Sequence, residues 1–230
     1  MTLTTVGGAV LIASAIWFNL WLAVLARRFD YPDILRQPTE EILARFRDGG
    51  SSLILTWWAF MASGGLLVAS AVLLSLVLMP GAPALSAIAV VAGVLAGLVQ
   101  VLGLLRWVYL VPALARTHGD PEASEATRAA VMVTFRAFHQ YMGVGVGEHL
   151  GYLLTGGWTG LVGIAILRGD AVVAWLGWAA LPIGLGLIVI SAQFLGPNEE
   201  LGWTPAGKVV PVLYVVWSLW LVALGIALIV

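Results

Sequence analysis

The sequence predicts an all-α, polytopic transmembrane helical bundle of about six spans, with two amphipathic surface helices on the cytoplasmic side. Three observations predict it. The chain is 61% hydrophobic and only 10% charged, with mean hydropathy +1.00, against about 45–50% and about 25% for a soluble domain. Six stretches meet the requirement of about 20 mostly apolar residues for a span. The basic residues between those stretches fall almost entirely on one side.

The six spans are approximately residues 5–26, 52–79, 84–112, 143–167, 171–195 and 209–230 of one integral membrane domain covering 1–230. The first apolar run is too long for a signal-peptide core and no small-residue cleavage site follows it, so it is expected to be a retained span. The links "PGAP" and "RGD" are short, which makes the helices they join antiparallel neighbours. The other two major links carry nearly all the charge. In "RRFDYPDILRQPTEEILARFRDGG", Pro38 sits at a helix start, Glu40 and Glu41 fill the first turn, and Gly49 can end it. Ile42, Leu43 and Phe46 form its apolar stripe, and Glu41 and Arg45 pair at i,i+4. A surface helix over 38–48 follows. In "THGDPEASEATRAAVMVTFRAFHQYM", Asp120 can cap, Pro121 suits the first helical position, and Val131, Phe135, Phe138 and Met142 share a face. A second surface helix over 121–141 follows, because a span here would place Arg136, His139 and Gln140 in hydrocarbon.

Orientation comes from the same residues. Arg27, Arg28, Arg36, Arg45, Arg47, Arg116, Arg128, Arg136 and Lys208 lie on one side, Arg168 lies on the other, and Arg106 lies within a span. The positive-inside rule makes the first side cytoplasmic and puts both termini outside, in the cell membrane. The net charge of −1 argues against nucleic acid as a partner. Membrane lipids, other membrane subunits or a second copy of the chain are the expected partners. Cysteine is absent, which removes thiolate metal sites and cysteine nucleophiles together.

Ionisable groups inside a membrane raise a functional hypothesis by default. Arg106 on the third span and Glu148 on the fourth lie at similar depth and are expected to pair or to share one hydrogen-bonded cluster. That cluster would include His149, Tyr152 and Gln100. It could serve as an ion pair locking two helices, or as a ligand or proton site. Glu148, Tyr152, Thr155 and Thr159 follow i, i+4, i+7, i+11 spacing, so one polar face should point into the bundle. Arg136, His139, Asn19, Ser191 and Gln193 are further polar candidates. Gly143, Gly147 and Gly151 repeat at i+4 and permit close approach of a neighbouring helix. "GEHLG" is not a zinc-protease motif, because adjacent Glu and His point about 100° apart on a helix. No metal site and no cofactor is predicted; haem and a quinone slot are the alternatives considered, the latter between tryptophan pairs such as Trp17/Trp21 and Trp217/Trp220.

At "LLRWVYLVPALAR", "FRAFHQYMGVGVGEHLGYLLTGGWT" and the tail "LYVVWSLWLVALGIALIV", the sequence resembles an uncharacterised family of bacterial multi-pass membrane proteins, classed as a domain of unknown function. The resemblance implies a bacterial inner-membrane protein of about six spans and supplies no catalytic residues. The sequence therefore points away from an enzyme and towards a small binding or accessory subunit of a membrane assembly. A transporter or proton/ion conductor using Arg106, Glu148 and His149 is the alternative. An intramembrane enzyme or cofactor-binding redox protein is the second.

Overall fold

A computed structural model describes residues 2–199 and 201–230. All its regular elements are helices, and six of them are long and apolar enough to cross a membrane: Leu3–Phe29, Thr39–Leu78, Pro83–His118, Glu125–Arg168, Ala174–Phe194 and Thr204–Ile229.

Helix α1 (Leu3–Phe29) starts at Thr2, whose hydroxyl accepts from the Thr5 amide at 3.2 Å. It ends at Asp30, in a left-handed conformation, with Arg27 and Arg28 complementing the negative helix end. Helix α2 (Thr39–Leu78) contains one break, at Gly50, whose φ of 55° and ψ of −153° are open to glycine and strained for other residues. The break separates a short leg from a long apolar one. Ile42, Leu43 and Phe46 on the short leg are buried, and Glu41 holds Arg45 at 3.2 Å.

Helix α3 (Pro83–Leu105) passes through a π-helical turn, Arg106–Leu110, into α4 (Val111–His118). Pro112 does not end this helix. It lacks the N–H that would bond four residues back, and the wider turn before it absorbs the defect. Helix α5 (Glu125–Phe138) continues through a second π-helical stretch, His139–Leu150, into α6 (Gly151–Arg168). The expected helix start at Asp120 and Pro121 is replaced by Ser124, whose hydroxyl accepts from the Thr127 amide at 3.1 Å. Asp120 instead accepts from the Glu122 amide at 3.0 Å, a local turn that competes with helix. No break separates 125–138 from the helix that follows. The resulting 44-residue rod is about 65 Å long at 1.5 Å per residue, roughly twice the hydrocarbon thickness. Helices α7 (Ala174–Ser191) and α8 (Thr204–Ile229) complete the bundle.

The long helices close into a ring in chain order: α1 on α2, α2 on α3, α3 on α6, α6 on α7, α7 on α8, and α8 back on α1. Lipid gives little hydrophobic drive between helices, so the seams rely on close backbone approach and interhelical hydrogen bonds. Glycines supply the first. A Cβ on Gly156 would stand 2.5 Å from the Gly184 carbonyl oxygen, and one on Gly184 2.6 Å from that of Gly156. Gly163 and Gly177 face each other the same way on this seam, as do Gly64 and Gly97 between α2 and α3, and Gly8 and Gly225 between α1 and α8. Indole and hydroxyl groups supply the second. Trp17 donates to the Ala59 carbonyl at 2.7 Å, Trp220 to that of Leu176 at 2.9 Å, and Ser14 and Ser70 lie 3.1 Å apart. Of the paired tryptophans, Trp17, Trp217 and Trp220 donate their ring N–H across a seam, whereas the Trp21 ring nitrogen has no partner among the described residues. Leu20, Leu55, Trp58, Leu76, Leu185 and Leu219 are more than half exposed around the ring, as suits a surface meeting lipid.

At the charged end an aromatic cluster closes the ring. Trp57 stacks on Trp107 with centroids 4.6 Å apart and planes 7° from parallel, and Phe29 meets both edge-on. Phe46 from the short leg of α2 and Phe135 from α5 pack onto Trp107.

The Gly156–Gly184 crossing can be tested directly. Gly184→Val places its side chain against backbone that cannot yield, and is expected to destabilise the protein by about 2 kcal/mol or more. Gly157→Val, where a Cβ meets nothing within 4 Å, is expected to be near neutral. Thermal unfolding in detergent compares the two.

Candidate functional site

The two π-helical stretches pack against each other at the charged end of the ring. Such stretches are wider than α-helix and are frequent at functional sites. Between them they carry Arg106, His139, Glu148 and His149.

The three spaced glycines set this seam. Gly147 lies on Gly103: a Cβ on Gly147 would stand 3.3 Å from the Gly103 Cα. Gly151 lies on the Gln100 side chain, and Gly143 lies on the Arg106 guanidinium, 2.6 Å from Nη2 to a Cβ position on Gly143. All three therefore face α3 and its π-helical turn. Arg106 is 8% exposed. It donates to the Gly103 carbonyl of its own helix, and its guanidinium carbon lies 5.2 Å from the Trp107 ring centre. Its Nε has no hydrogen-bond partner among the described residues.

The expected Arg106–Glu148 pair is not a direct one. The ion pairs among the described residues are Arg36–Asp33, Arg45–Asp30, Arg45–Glu41 and Arg47–Asp48, all at exposed positions. Arg106 and Glu148 do share an electrostatic neighbourhood, and Tyr31 from the link after α1 shares it with them. Burial pushes the Tyr31 phenol up to about 12; the Glu148 carboxylate adds to the rise and the Arg106 guanidinium opposes it. Tyr31 is held by Trp57 at 5.1 Å and Phe60 at 6.2 Å, both edge-on.

Glu148 opens onto a cavity of about 100 Å³ between the second π-helical stretch and the end of α7. Gln140, Glu148, His149 and Tyr152 line one wall; Ser191 and Gln193 line the other, with Val144, Ile190, Phe194 and Leu195 as apolar surface. His149 is fixed by a 2.9 Å hydrogen bond from Nδ1 to the Ser191 carbonyl. A carbonyl only accepts, so Nδ1 carries the proton and Nε2 of the neutral ring is an acceptor. Tyr152 meets Tyr214 of α8 edge-on at 5.4 Å.

The rest of the polar stripe is spent on helix contacts. Thr155 accepts from Gln100 Nε2 at 3.2 Å, and Thr159 accepts from the Trp217 indole at 2.9 Å. Asn19 donates to Ser218 at 2.9 Å, between α1 and α8. Arg136 donates to Thr39 at 3.3 Å, which ties α5 to the start of α2. His139 stacks on Phe135 at 5.8 Å. These groups do not meet at one point. Glu148, His149, Tyr152 and Gln193 share the cavity, whereas Arg106, Gln100, Asn19, Arg136 and His139 lie outside its lining.

Tyr31 and Tyr214 are the members sequence reasoning passes over. Tyr31 lies in a charged link, where its neighbour Pro32 marks a turn and nothing in the spacing points inward. No group of three or more His, Asp or Glu among the described residues could hold a metal ion.

With this geometry in place, comparison with known families is decisive on kinship. The model of a family described as Domain of unknown function (DUF4386) matches residues 6–225. The chain belongs to this family. Within this DUF4386 chain the match takes in both π-helical stretches and the cavity. No curated protein and no solved structure matches the chain.

The fit of Arg106 above Gly143 yields a coupled prediction. Gly143→Ala puts a methyl group where the guanidinium lies and is expected to cost about 1–3 kcal/mol. In an Arg106→Ala background most of that cost should vanish, giving a coupling energy of at least about 1 kcal/mol in a double-mutant cycle. Independent, additive losses would show that Arg106 does not depend on this glycine.

Proposed function

We propose that this DUF4386 protein is a membrane-embedded binding protein whose ligand sits in the cavity between the second π-helical stretch and the end of α7. The observation that carries this reading is the convergence there of Glu148, His149, Tyr152, Gln140 and Gln193 on about 100 Å³ of space. Concave sites with a few convergent polar groups on an apolar lining are the usual form of a small-molecule site. At about 100 Å³ the cavity is below the ~300–1,000 Å³ of a drug-sized site and takes a molecule of a few heavy atoms or one group of a larger one. The excess of Arg and Lys at the same end supports a cytoplasmic opening, with both termini on the far side. A role as an accessory subunit of a larger membrane assembly suits the short links between helices.

Native mass spectrometry of gently extracted protein tests the reading. A bound small molecule or lipid is expected, and Gly145→Leu should displace it. Gly145 lines the cavity, and a Cβ there meets only the Gln140 carbonyl oxygen, at 3.6 Å. A protein free of adducts, or adducts indifferent to Gly145→Leu, would sink the proposal. Orientation is tested on the same cysteine-free chain: a single cysteine at Asp170 should react with an impermeant reagent from outside intact cells, and one at Asp48 should not.

A second reading, proton or ion conduction, draws on a cavity of about 20 Å³ between α1, α2, α3 and α8, whose polar lining is Ser14, Ser63, Ser70 and Gln100. That is room for about one water molecule. Gln100 links it through Thr155 to the helix bearing Glu148. Proton flux in proteoliposomes that disappears in Glu148→Gln is the expected result under this reading; unchanged flux removes Glu148 as the carrier.

A further inference from the structure

We infer that the cavity beside Glu148 recognises a primary ammonium group, carried by a small amine or by the headgroup of an ethanolamine phospholipid. The inference rests on the binding role just proposed and assigns its ligand chemistry.

Four observations lead to it. Glu148 makes no ion pair or hydrogen bond with the described residues, so its carboxylate is available to a ligand. No Lys or Arg lines the cavity; Arg106 is turned to the other seam, held by Gly103, Trp107 and Gly143. His149 commits its Nδ1 proton to Ser191, so in the neutral ring Nε2 is an acceptor. The opposite wall is the last turn of α7 and the residues just after it, where the negative end of the helix dipole favours positive charge. A carboxylate, an imidazole acceptor and a helix C-terminus together call for a cation that donates hydrogen bonds.

The same inventory separates primary from quaternary ammonium. A trimethylated nitrogen has no N–H and relies on aromatic faces. Only Tyr152 and Phe194 line this cavity as carbon aromatics, too few for a cage. An –NH₃⁺ group has three donors, for Glu148, His149 and the amide oxygen of Gln140 or Gln193. Ile190, Phe194 and Leu195 then receive the carbon chain attached to it. Leu195 and Gln140 are exposed at the rim, so a lipid headgroup and a free amine both have access.

The test uses the full chain purified in non-ionic detergent. Thermal unfolding is followed against ethylammonium chloride, tetramethylammonium chloride and sodium acetate at matched ionic strength. Native mass spectrometry follows added phosphatidylethanolamine and phosphatidylcholine. The expected result is a saturable stabilisation by ethylammonium, or selective retention of phosphatidylethanolamine, or both. Ethylammonium alone identifies a free amine as the source, and the lipid alone identifies the headgroup. Glu148→Gln and Gly145→Leu should each raise the half-saturating concentration at least tenfold. Where Glu148→Gln does not fold, Gly145→Leu, which fills the cavity without meeting the helix seams, carries the comparison. Equal effects of tetramethylammonium or acetate, abolished by Gly145→Leu, would overturn the ammonium assignment while leaving a binding cavity. No effect from any probe, with no adduct at all, would overturn both.

Discussion

The seam between α3 and the second π-helical stretch is the contact on which the site depends. Gly103 meets Gly147 with no side chain between them, Gln100 lies over Gly151, and the Arg106 guanidinium occupies the space that a side chain at Gly143 would take. Two helices held this close cannot slide or rotate without collision, because the atoms in contact are backbone. The position of Glu148 follows from that lock: it is one residue beyond Gly147 and so turns away from α3, towards the end of α7. In lipid, where apolar side chains gain little by leaving one another's company, this steric fit does the work that a hydrophobic core does in water.

Holding a guanidinium inside such a seam is costly unless its charge is answered. Here the answer is spread over several groups. The Gly103 carbonyl accepts a hydrogen bond, the Trp107 face lies below the charge, and the Glu148 carboxylate is close enough to act without touching. A direct salt bridge would satisfy Glu148 and close the cavity to ligands. The indirect arrangement keeps the two charges mutually stabilising and leaves the carboxylate oxygens free. Tyr31 closes the same neighbourhood from the link after α1, wedged between Trp57 and Phe60.

Much of this was legible in the sequence, for identifiable reasons. The six apolar helices follow from composition and length. The short leg of α2 follows from Pro38, Glu40, Glu41 and the stripe Ile42, Leu43, Phe46. The face bearing Gly143, Gly147 and Gly151, and the polar stripe from Glu148 to Thr159, follow from helical periodicity. What escaped was everything set by pairing across the ring. Periodicity puts Arg106 and Glu148 at similar depth, but it cannot tell a salt bridge from two charges facing adjoining seams. The π-helical stretches were also hidden, since α- and π-turns draw on the same residue types and differ only in which backbone groups bond. Tyr214 reaches the Glu148 region through Tyr152 once α8 packs back on the ring, and Tyr31 reaches it because the link after α1 folds onto Trp57 and Phe60. The sequence divides the long rod Glu125–Arg168 in two because Arg136 and His139 look unsuited to hydrocarbon. A rod about 65 Å long leaves them room outside it.

The π-helical stretch also explains how one helix can serve both a tight seam and an open cavity. Its first part, from His139, carries Gln140, Val144 and Gly145 along the cavity wall, while Gly143 and Gly147 keep to α3. Below Gly151 the helix is α-helical again and fully engaged, with Thr155 bonded to Gln100, Thr159 bonded to Trp217, and Gly156 pressed on Gly184. The widened turns thus coincide with the segment that faces the last turn of α7 and the residues after it, tied to them by the His149–Ser191 hydrogen bond. Along most of α7 the partner helix is closely packed, at Gly156 and Gly163; at Ile190 and Ser191, the last residues of α7, the cavity begins. The cavity is consequently a product of where α7 ends as much as of its polar lining: Ile190 and Ser191 of its last turn, with Gln193, Phe194 and Leu195 just beyond, form the wall that Glu148 faces.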